Sequence, residues 1–475
     1  MKKSSDNSLL GQRDLTRGNM LKNLLIFSFP FLLANLLQAI YGAVDLWVVG
    51  KFGGGKAGVA AVATGGEVMH LVMSFIMGIT AAATVLIGQY YGANDRKNTG
   101  KCVGMSLLFS LITGIAGTVL MVLLSPWMVA ILNTPAEAEV QALQYLAICS
   151  TGVVFVVVFN AFAAIFRGYG NSAIPLICIA IACVFNIVLD IILVRNFGMG
   201  VRGAAYATIA SQALSVIVSF IFFLKGDFDF KFNKSNFTLV WHLVGKYVRI
   251  GIPIGIQNTL ISLSFLFIVS IVNKMGGDNP ACSAGYGIVN RLNGFAMLPA
   301  ISFAMAMSAL TAQNIGAKKY VRAIKTLNTA LAFTMTLGAV FLICMQLAPG
   351  VFIGLFLDST DPGTAEVIAQ GTLYARSFSI EYILVPIIFC SNGFFIGSGH
   401  SMFSMINNLI PTVLLRIPIS YFVSLMSGAT LFHIGLAAPA ASGCSAVISI
   451  IFLLSGKWKN VPEKSIKKLS DEKMT

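Results

Sequence analysis

Charged side chains are what this sequence has least of. Asp, Glu, Lys and Arg make up 11% of its 475 residues, where a soluble domain of that length carries about a quarter. A chain so poor in charge cannot cover itself with a water-facing surface, which excludes an ordinary soluble enzyme or binding module. Paired cysteine spacings are missing as well. The eight cysteines include no CxxC, and Cys149, Cys178, Cys183, Cys344, Cys390 and Cys444 fall inside apolar runs, where a thiol packs as a small hydrophobe. Long polar segments are few, so no soluble catalytic or sensory domain fits between the apolar runs. Those runs hold no clustered His/Asp/Glu ligands and no Ser/His or Cys/His nucleophile arrangement. Neither an enzyme nor a cofactor is expected.

What the sequence has in excess is apolar surface: 57% hydrophobic residues and a mean hydropathy of +0.83. Twelve apolar stretches stand out, at 24–50, 59–92, 103–132, 138–166, 173–195, 203–224, 248–274, 283–314, 323–354, 367–396, 403–427 and 433–455. Each has about the twenty residues a helix needs to cross a bilayer, and none alternates in the manner of a barrel strand. They read as transmembrane helices, the element that satisfies every backbone group in lipid. Residues 1–22 are polar and hold no cleavable signal, since the apolar run from Leu24 is too long for a signal core. Pro30, Pro175, Pro253, Pro299, Pro386 and Pro411 fall within or near the starts of these helices, where neighbouring helices satisfy the carbonyls that proline frees.

The net charge of +14 has no aromatic-basic stripe to go with it and points to topology rather than nucleic acid. With alternate connections assigned to opposite sides, the side holding both termini receives 24 Lys and Arg and the other receives 5. That asymmetry places both termini in the cytoplasm of a multi-pass cell-membrane protein and requires an even number of crossings. The halves also repeat. Phe29-Pro30 matches Ile252-Pro253, and Lys51-Phe52-Gly53-Gly54 matches Lys274-Met275-Gly276-Gly277, both at an offset of 223. Gln89-Tyr90-Tyr91-Gly92-Ala93 matches Gln313-Asn314-Ile315-Gly316-Ala317 at 224, and Gly168-Tyr169-Gly170-Asn171-Ser172 matches Gly397-Ser398-Gly399-His400-Ser401 at 229. The expectation is an all-α membrane protein of twelve helices in two parallel six-helix repeats. Its parts are an amino-terminal tail (1–22), an N-lobe (23–224), a cytoplasmic linker (225–247), a C-lobe (248–455) and a basic cytoplasmic tail (456–475). Two like-oriented lobes that rock about a central site suit alternating-access transport.

Ionisable side chains inside spans cost about 2.5–3.5 kcal/mol each on insertion scales and usually face a cavity or a partner. The acids so placed are Asp45, Glu67, Asp190 and Glu381. Asp45 in the first span and Asp190 in the fifth lie at comparable depth near the outer side. Asn186 shares Asp190's helix face four residues earlier, and Thr208 in the sixth span has a similar depth. Two carboxylates, an amide and a hydroxyl supply hard oxygen ligands for an alkali ion such as sodium, or the acids share a proton. The alternatives are a cap or interfacial water for Asp45 and pairing of Asp190 with Arg195 or Arg202. Glu381 is either a second acidic site, a substrate anchor, or the partner of Arg376. Glu67 and Arg291 occupy equivalent repeat positions and form a candidate gate pair. Gln38, Tyr41, Asn160, Gln257, Asn258 and Tyr286 are candidate substrate contacts, with His70 and His400 read as helix-interface groups. Nineteen Met and 35 Phe offer adaptable apolar surface for varied ligands.

Several motifs resemble those of the multidrug and toxic compound extrusion transporters. They are Val44-Asp45-Leu46-Trp47-Val48-Val49-Gly50-Lys51-Phe52-Gly53-Gly54, Gly88-Gln89-Tyr90-Tyr91-Gly92-Ala93, Arg167-Gly168-Tyr169-Gly170-Asn171, and Asn186-Ile187-Val188-Leu189-Asp190 followed by Gly198 to Ala205. The resemblance runs over roughly residues 15–460. It implies a monomeric antiporter in the bilayer that exports small, lipophilic, mostly cationic compounds in exchange for sodium ions or protons, without a cofactor. It also implies that Asp45, Asn186, Asp190 and Thr208 match the family's first-lobe cation site. Some members carry an acid on the seventh helix; here that stretch is Gln257-Asn258-Thr259, and Asp45's repeat counterpart is Ile268. A related alternative is a flippase for lipid-linked oligosaccharide or polysaccharide, whose anionic cargo calls for a cleft rich in Arg and Lys. Four acids against three arginines within the spans favour cationic cargo instead.

Overall fold

A computed structural model describes residues 13–131, 136–226, 228, 237–276, 280–358 and 363–459. Residues 1–12 of the amino-terminal tail, 227 and 229–236 of the linker, Gly277 of one repeat landmark and 460–475 of the basic tail lie outside the described residues. Six spans precede the linker: α1 (Met20–Phe52), α2 (Gly55–Gly92), α3 (Arg96–Ile131), the bent pair α4 (Ala136–Thr151) and α5 (Val153–Gly168), α6 (Ala173–Asp190), and α7 (Gly200–Lys225). Six follow it: α8 (Trp241–Gly276), α9 (Pro280–Gly316), α10 (Tyr320–Leu347) with the short α11 (Pro349–Gly354), the bent pair α12 (Thr364–Phe378) and α13 (Glu381–Gly397), α14 (Ser401–Pro411) with α15 (Ile417–Ser424), and α16 (Leu431–Gly435) with α17 (Ala437–Leu454). Counting each bent pair once gives twelve candidate crossings among the described residues. α1 runs without a break through Pro30.

The fourth span of each half is not the continuous rod its composition suggests. α4 and α5 meet at 46°, and α12 and α13 meet at 49°. Each break has a chemical support. At the first, the Val154 N–H donates to Thr118 Oγ1 at 3.1 Å. At the second, Gln346 Nε2 and Ser379 Oγ both donate to the Arg376 carbonyl, at 2.8 and 2.9 Å. The fifth span of each half contains a π-helical turn, Ile191–Asn196 directly after Asp190 and Thr412–Arg416 directly after Pro411. Such turns are rare and often mark functional positions.

The repeat seen in the sequence is also written in the backbone. Asn94 and Lys318, at offset 224, share a left-handed φ of 57°, and Gly170 and Gly399, at offset 229, have φ of 78° and 88°. The turns close alike: the Asp95 N–H donates to Tyr90 O and the Lys319 N–H to Asn314 O, while Asn171 and His400 donate to Phe166 O and Phe395 O. Asn171 then caps α6, its Oδ1 accepting from the Ala173 and Ile174 N–H groups at 3.0 and 3.1 Å.

Two compact units emerge from backbone proximity: Met1–Gly18, Leu25–Gly255 and Ala312–Lys319 in one, and Asn19–Leu24, Ile256–Thr311 and Tyr320–Thr475 in the other. The first has an apolar core of Val48, Val49, Val62, Tyr145, Leu146, Val194 and their neighbours. The second is centred on Val272, Val289, Tyr374, Phe378 and Leu431. Leu123, Trp127, Leu347 and Ile451 are instead exposed, the distribution expected of helices whose outer faces meet acyl chains.

Candidate cation and substrate site

In the first unit, α1 carries Asp45 two turns from its carboxyl end, α6 ends on Asp190 with Asn186 one turn earlier, and α7 carries Thr208. The fractional exposures are 4% for Asp45, 1% for Asn186 and 0% for Asp190. The Asp45 and Asp190 carboxyls are close neighbours that interact directly. Ionised carboxylates only accept, so such a contact holds together with a proton or a cation between them. Asp45 Oδ1, both Asp190 oxygens, Asn186 Oδ1 and Nδ2, and Thr208 Oγ1 are buried without a hydrogen-bond partner. Six orphaned polar atoms on four side chains from three helices are costly unless a ligand satisfies them. Of the two alternative partners for Asp190, the Arg195 guanidinium stacks 5.2 Å over the Phe52 ring and Arg202 is exposed.

A cavity of about 430 Å³ opens onto this cluster. Gln38 and Tyr41 of α1, Asn160 of α5, Asn186 and Thr208 line it. Asn186 and Thr208 therefore belong both to the cavity wall and to the orphaned group behind it. Asn160 Nδ2 donates to its own helix at Val156 O, at 2.9 Å. Sequence reasoning did not single out Tyr145, Cys149, Met69, Met73 or Gln212, which also line the cavity, and it placed His70 at a helix interface although His70 faces the cavity too. Tyr41 and Tyr145 stand within electrostatic range of Asp45. The signal available for Tyr145 was its position on a span bent at Gly152, and a straight-helix reading hides which way it points.

The other substrate candidates, Gln257, Asn258, Tyr286 and Glu381, belong to the second unit. Gln257 is buried and its Oε1 accepts from Ser404 Oγ at 3.2 Å. Asn258 is half-buried on α8 and its carbonyl accepts from Ser262 Oγ at 3.1 Å. The Tyr286 ring packs 4.8 Å from that of Tyr374. Glu381 opens α13 directly after the bend; it accepts from Ser442 Oγ at 2.6 Å and lies in the field of Arg416. Arg376, considered as its partner from sequence spacing, is exposed. The guanidinium near Glu381 is that of Arg416, which comes from the π-helical turn and stacks 4.1 Å over Phe265. Glu67 of α2 and Arg291 of α9, the candidate gate pair, are both exposed and belong to different units. His400 Nδ1 stands 3.2 Å from Ser398 Oγ at the start of α14. Among the described residues no three His, Cys, Asp or Glu side chains converge as transition-metal ligands.

Comparison with known proteins adds a family and a fold. The MatE family model matches residues 30–192 and 253–422. The chain is 28% identical over 452 residues to the probable multidrug resistance protein YpnP of Bacillus subtilis, covering 94% of this chain and 97% of that one. It is 26% identical to the probable multidrug resistance protein NorM of Thermotoga maritima, covering 92% and 93%. Among solved structures, a MOP superfamily transporter from Pyrococcus furiosus, described as having a binding pocket of reversed polarity, aligns with a TM-score of 0.87 at 20% identity over 97% of this chain and all of that one. A MATE bound to MaL6 aligns with a TM-score of 0.84 at 21% identity over 96% and 99%. At those identities the structures establish the fold.

Proposed function

The chain belongs to the MatE family, and on that footing we propose that it is a secondary antiporter exporting lipophilic, mostly cationic compounds in exchange for sodium ions or protons. The observation that carries this reading is the set of six orphaned polar atoms on Asp45, Asn186, Asp190 and Thr208. A small cation taken from the cavity meets two anionic carboxylates, an amide oxygen and a hydroxyl, all hard donors suited to an alkali ion or a shared proton. The ion is cargo, released on each cycle, and the membrane potential drives its entry by about 2.3 kcal/mol per 100 mV. Export follows when cation and drug favour different arrangements or displace one another. Gln38, Tyr41 and Asn160, with the methionines of α2, support an adaptable drug pocket in the same cavity. Gln257, Asn258, Tyr286 and Glu381 of the second unit are candidate substrate contacts there, and Glu67 and Arg291 are candidate gate residues. The protein works as a monomer with both termini in the cytoplasm, the latter supported by the 24-to-5 distribution of basic residues.

The test is dye efflux from proteoliposomes under an imposed sodium or proton gradient. Inward cation gradients should drive export by the unaltered chain, and Asp45→Asn and Asp190→Asn should abolish that dependence. Gradient-driven efflux that survives both substitutions would remove the proposed site.

A further inference from the structure

The segment just ahead of α1 is held by residues from two separate turns. Leu15 is only 1% exposed, and its N–H donates to Gln313 Oε1 at 3.0 Å. The same Gln313 amide donates through Nε2 to the Gly168 carbonyl at 2.9 Å, so one buried side chain brackets the segment on one side and the end of α5 on the other. Lys319 Nζ, just past α9, donates to Thr16 O at 2.9 Å and to Thr16 Oγ1 at 3.0 Å. At Gly170 the fit is so close that a Cβ would stand 2.4 Å from Arg13 O and 3.2 Å from Leu15 Cγ.

Beneath this segment the ends of α2 and α9 cross backbone to backbone. A Cβ on Gly92 would lie 2.1 Å from Gln313 O, and one on Gly316 would lie 2.0 Å from Gln89 O. The two repeat landmarks found in the sequence therefore press on each other reciprocally. A crossing this tight has no side chains to slide over one another, so its ends part as bodies or not at all. Parting the end of α9 from the α5–α6 turn breaks the Gln313–Gly168 hydrogen bond and pulls the segment either off its close seat on Gly170 or out of its bonds to Gln313 and Lys319, and either way it uncovers the Leu15 side chain.

We infer that residues 13–17 form a latch on the cytoplasmic end of the transporter, closed here over the α2–α9 crossing and released each time that end opens. Leu15 is the plug, Gln313 the two-sided bracket and Lys319 the hook. The latch rests on the transport reading only in that opening of this end belongs to the cycle. It assigns to the residues ahead of the first span a share in setting how long the cytoplasmic end stays shut.

The test uses Ala312→Cys in a background with the native cysteines replaced, because Ala312 is fully buried beside Gly88 at this crossing. An impermeant maleimide added on the cytoplasmic side should label it at least tenfold faster when Leu15→Ala is present. Lys319→Ala should give a smaller rise that Lys319→Arg reverses; unchanged rates in both would overturn the latch. Should Leu15→Ala fail to fold, a short bis-thiosulfonate joining Thr16→Cys to Lys319→Cys replaces the lysine's reach. Efflux should then fall at least tenfold and return on reduction. Joined protein that exports at the reduced rate refutes the latch and leaves transport standing. Absence of efflux from the reduced protein counts against transport instead, and the labelling rates still decide the latch.

Discussion

Two neighbouring carboxylates buried inside a helix bundle repel one another unless something positive lies between them. At about 4 Å and an effective dielectric near 20, two unit charges interact by about 4 kcal/mol, enough to make an empty, doubly ionised Asp45–Asp190 pair a poor resting state. That repulsion sets a sign for stability. In cation-poor, alkaline buffer, Asp190→Asn should melt at the same temperature as the unaltered protein or higher, because it removes one of two mutually repelling buried charges. Adding sodium ions or acid should then raise the melting temperature of the unaltered protein and not of the variant; a thermal-shift series checks this. Asn186→Ala and Thr208→Ala each remove one neutral donor atom, worth about 0.5–1.5 kcal/mol. Each should raise the cation concentration for half-maximal efflux by about two- to tenfold without abolishing transport. These four residues were legible in the sequence because depth along a span and i,i+4 spacing are one-dimensional quantities. Tyr145, Cys149, His70 and Arg416 were not, because the rotation of one helix against its neighbours, and the bends and π turns that alter it, decide which groups face a cavity.

Helices that meet in lipid gain little from hydrophobic exclusion, so their contacts depend on close backbone approach at small residues. Gly338 of α10 is such a point: a Cβ there would lie 2.0 Å from the Tyr382 carbonyl at the start of α13. Gly294 of α9 has nothing within 4 Å of the same added atom. Alanine is intrinsically better than glycine in a helix by about 1 kcal/mol, whereas overpacking a tight contact costs about 1–3 kcal/mol. Gly338→Ala should therefore lower the thermal midpoint in detergent, and Gly294→Ala should leave it unchanged or raise it. Equal shifts for the two would mean that the α10–α13 approach is looser than drawn. At this scale the spans themselves were readable from composition, and so were the repeat landmarks, whose left-handed residues Asn94, Lys318, Gly170 and Gly399 recur at the expected offsets. The breaks at Gly152 and Ser379 were not, since the freed backbone groups are satisfied by Thr118 and Gln346 from other spans, invisible to any local window.

At the scale of the whole molecule, a chain with 11% charged residues buries few acids, among them Asp45, Asp190 and Glu381. The asymmetry between halves follows the same economy. Asp45 has Ile268 as its repeat counterpart, and the buried acid of the second unit, Glu381, is accompanied by Arg416 and Ser442. A resident guanidinium already supplies positive charge beside Glu381, whereas Asp45 and Asp190 face each other with orphaned polar atoms around them. On the proposed function, a solution cation supplies that charge in the first unit. Because Asn186 and Thr208 belong to both the cavity wall and the orphaned cluster, the proposed function has a cationic drug in the cavity and a small ion behind it competing for the same negative field. Linkage then requires each to weaken the other by the same factor. Binding of a fluorescent cationic dye to the purified protein should weaken as sodium ion or proton concentration rises, and small-ion affinity should fall equally when dye is present. In Asp45→Asn the dye's dissociation constant should be insensitive to the ion. A dye that binds the unaltered protein with the same affinity at every ion concentration would leave exchange without a thermodynamic basis in this cavity.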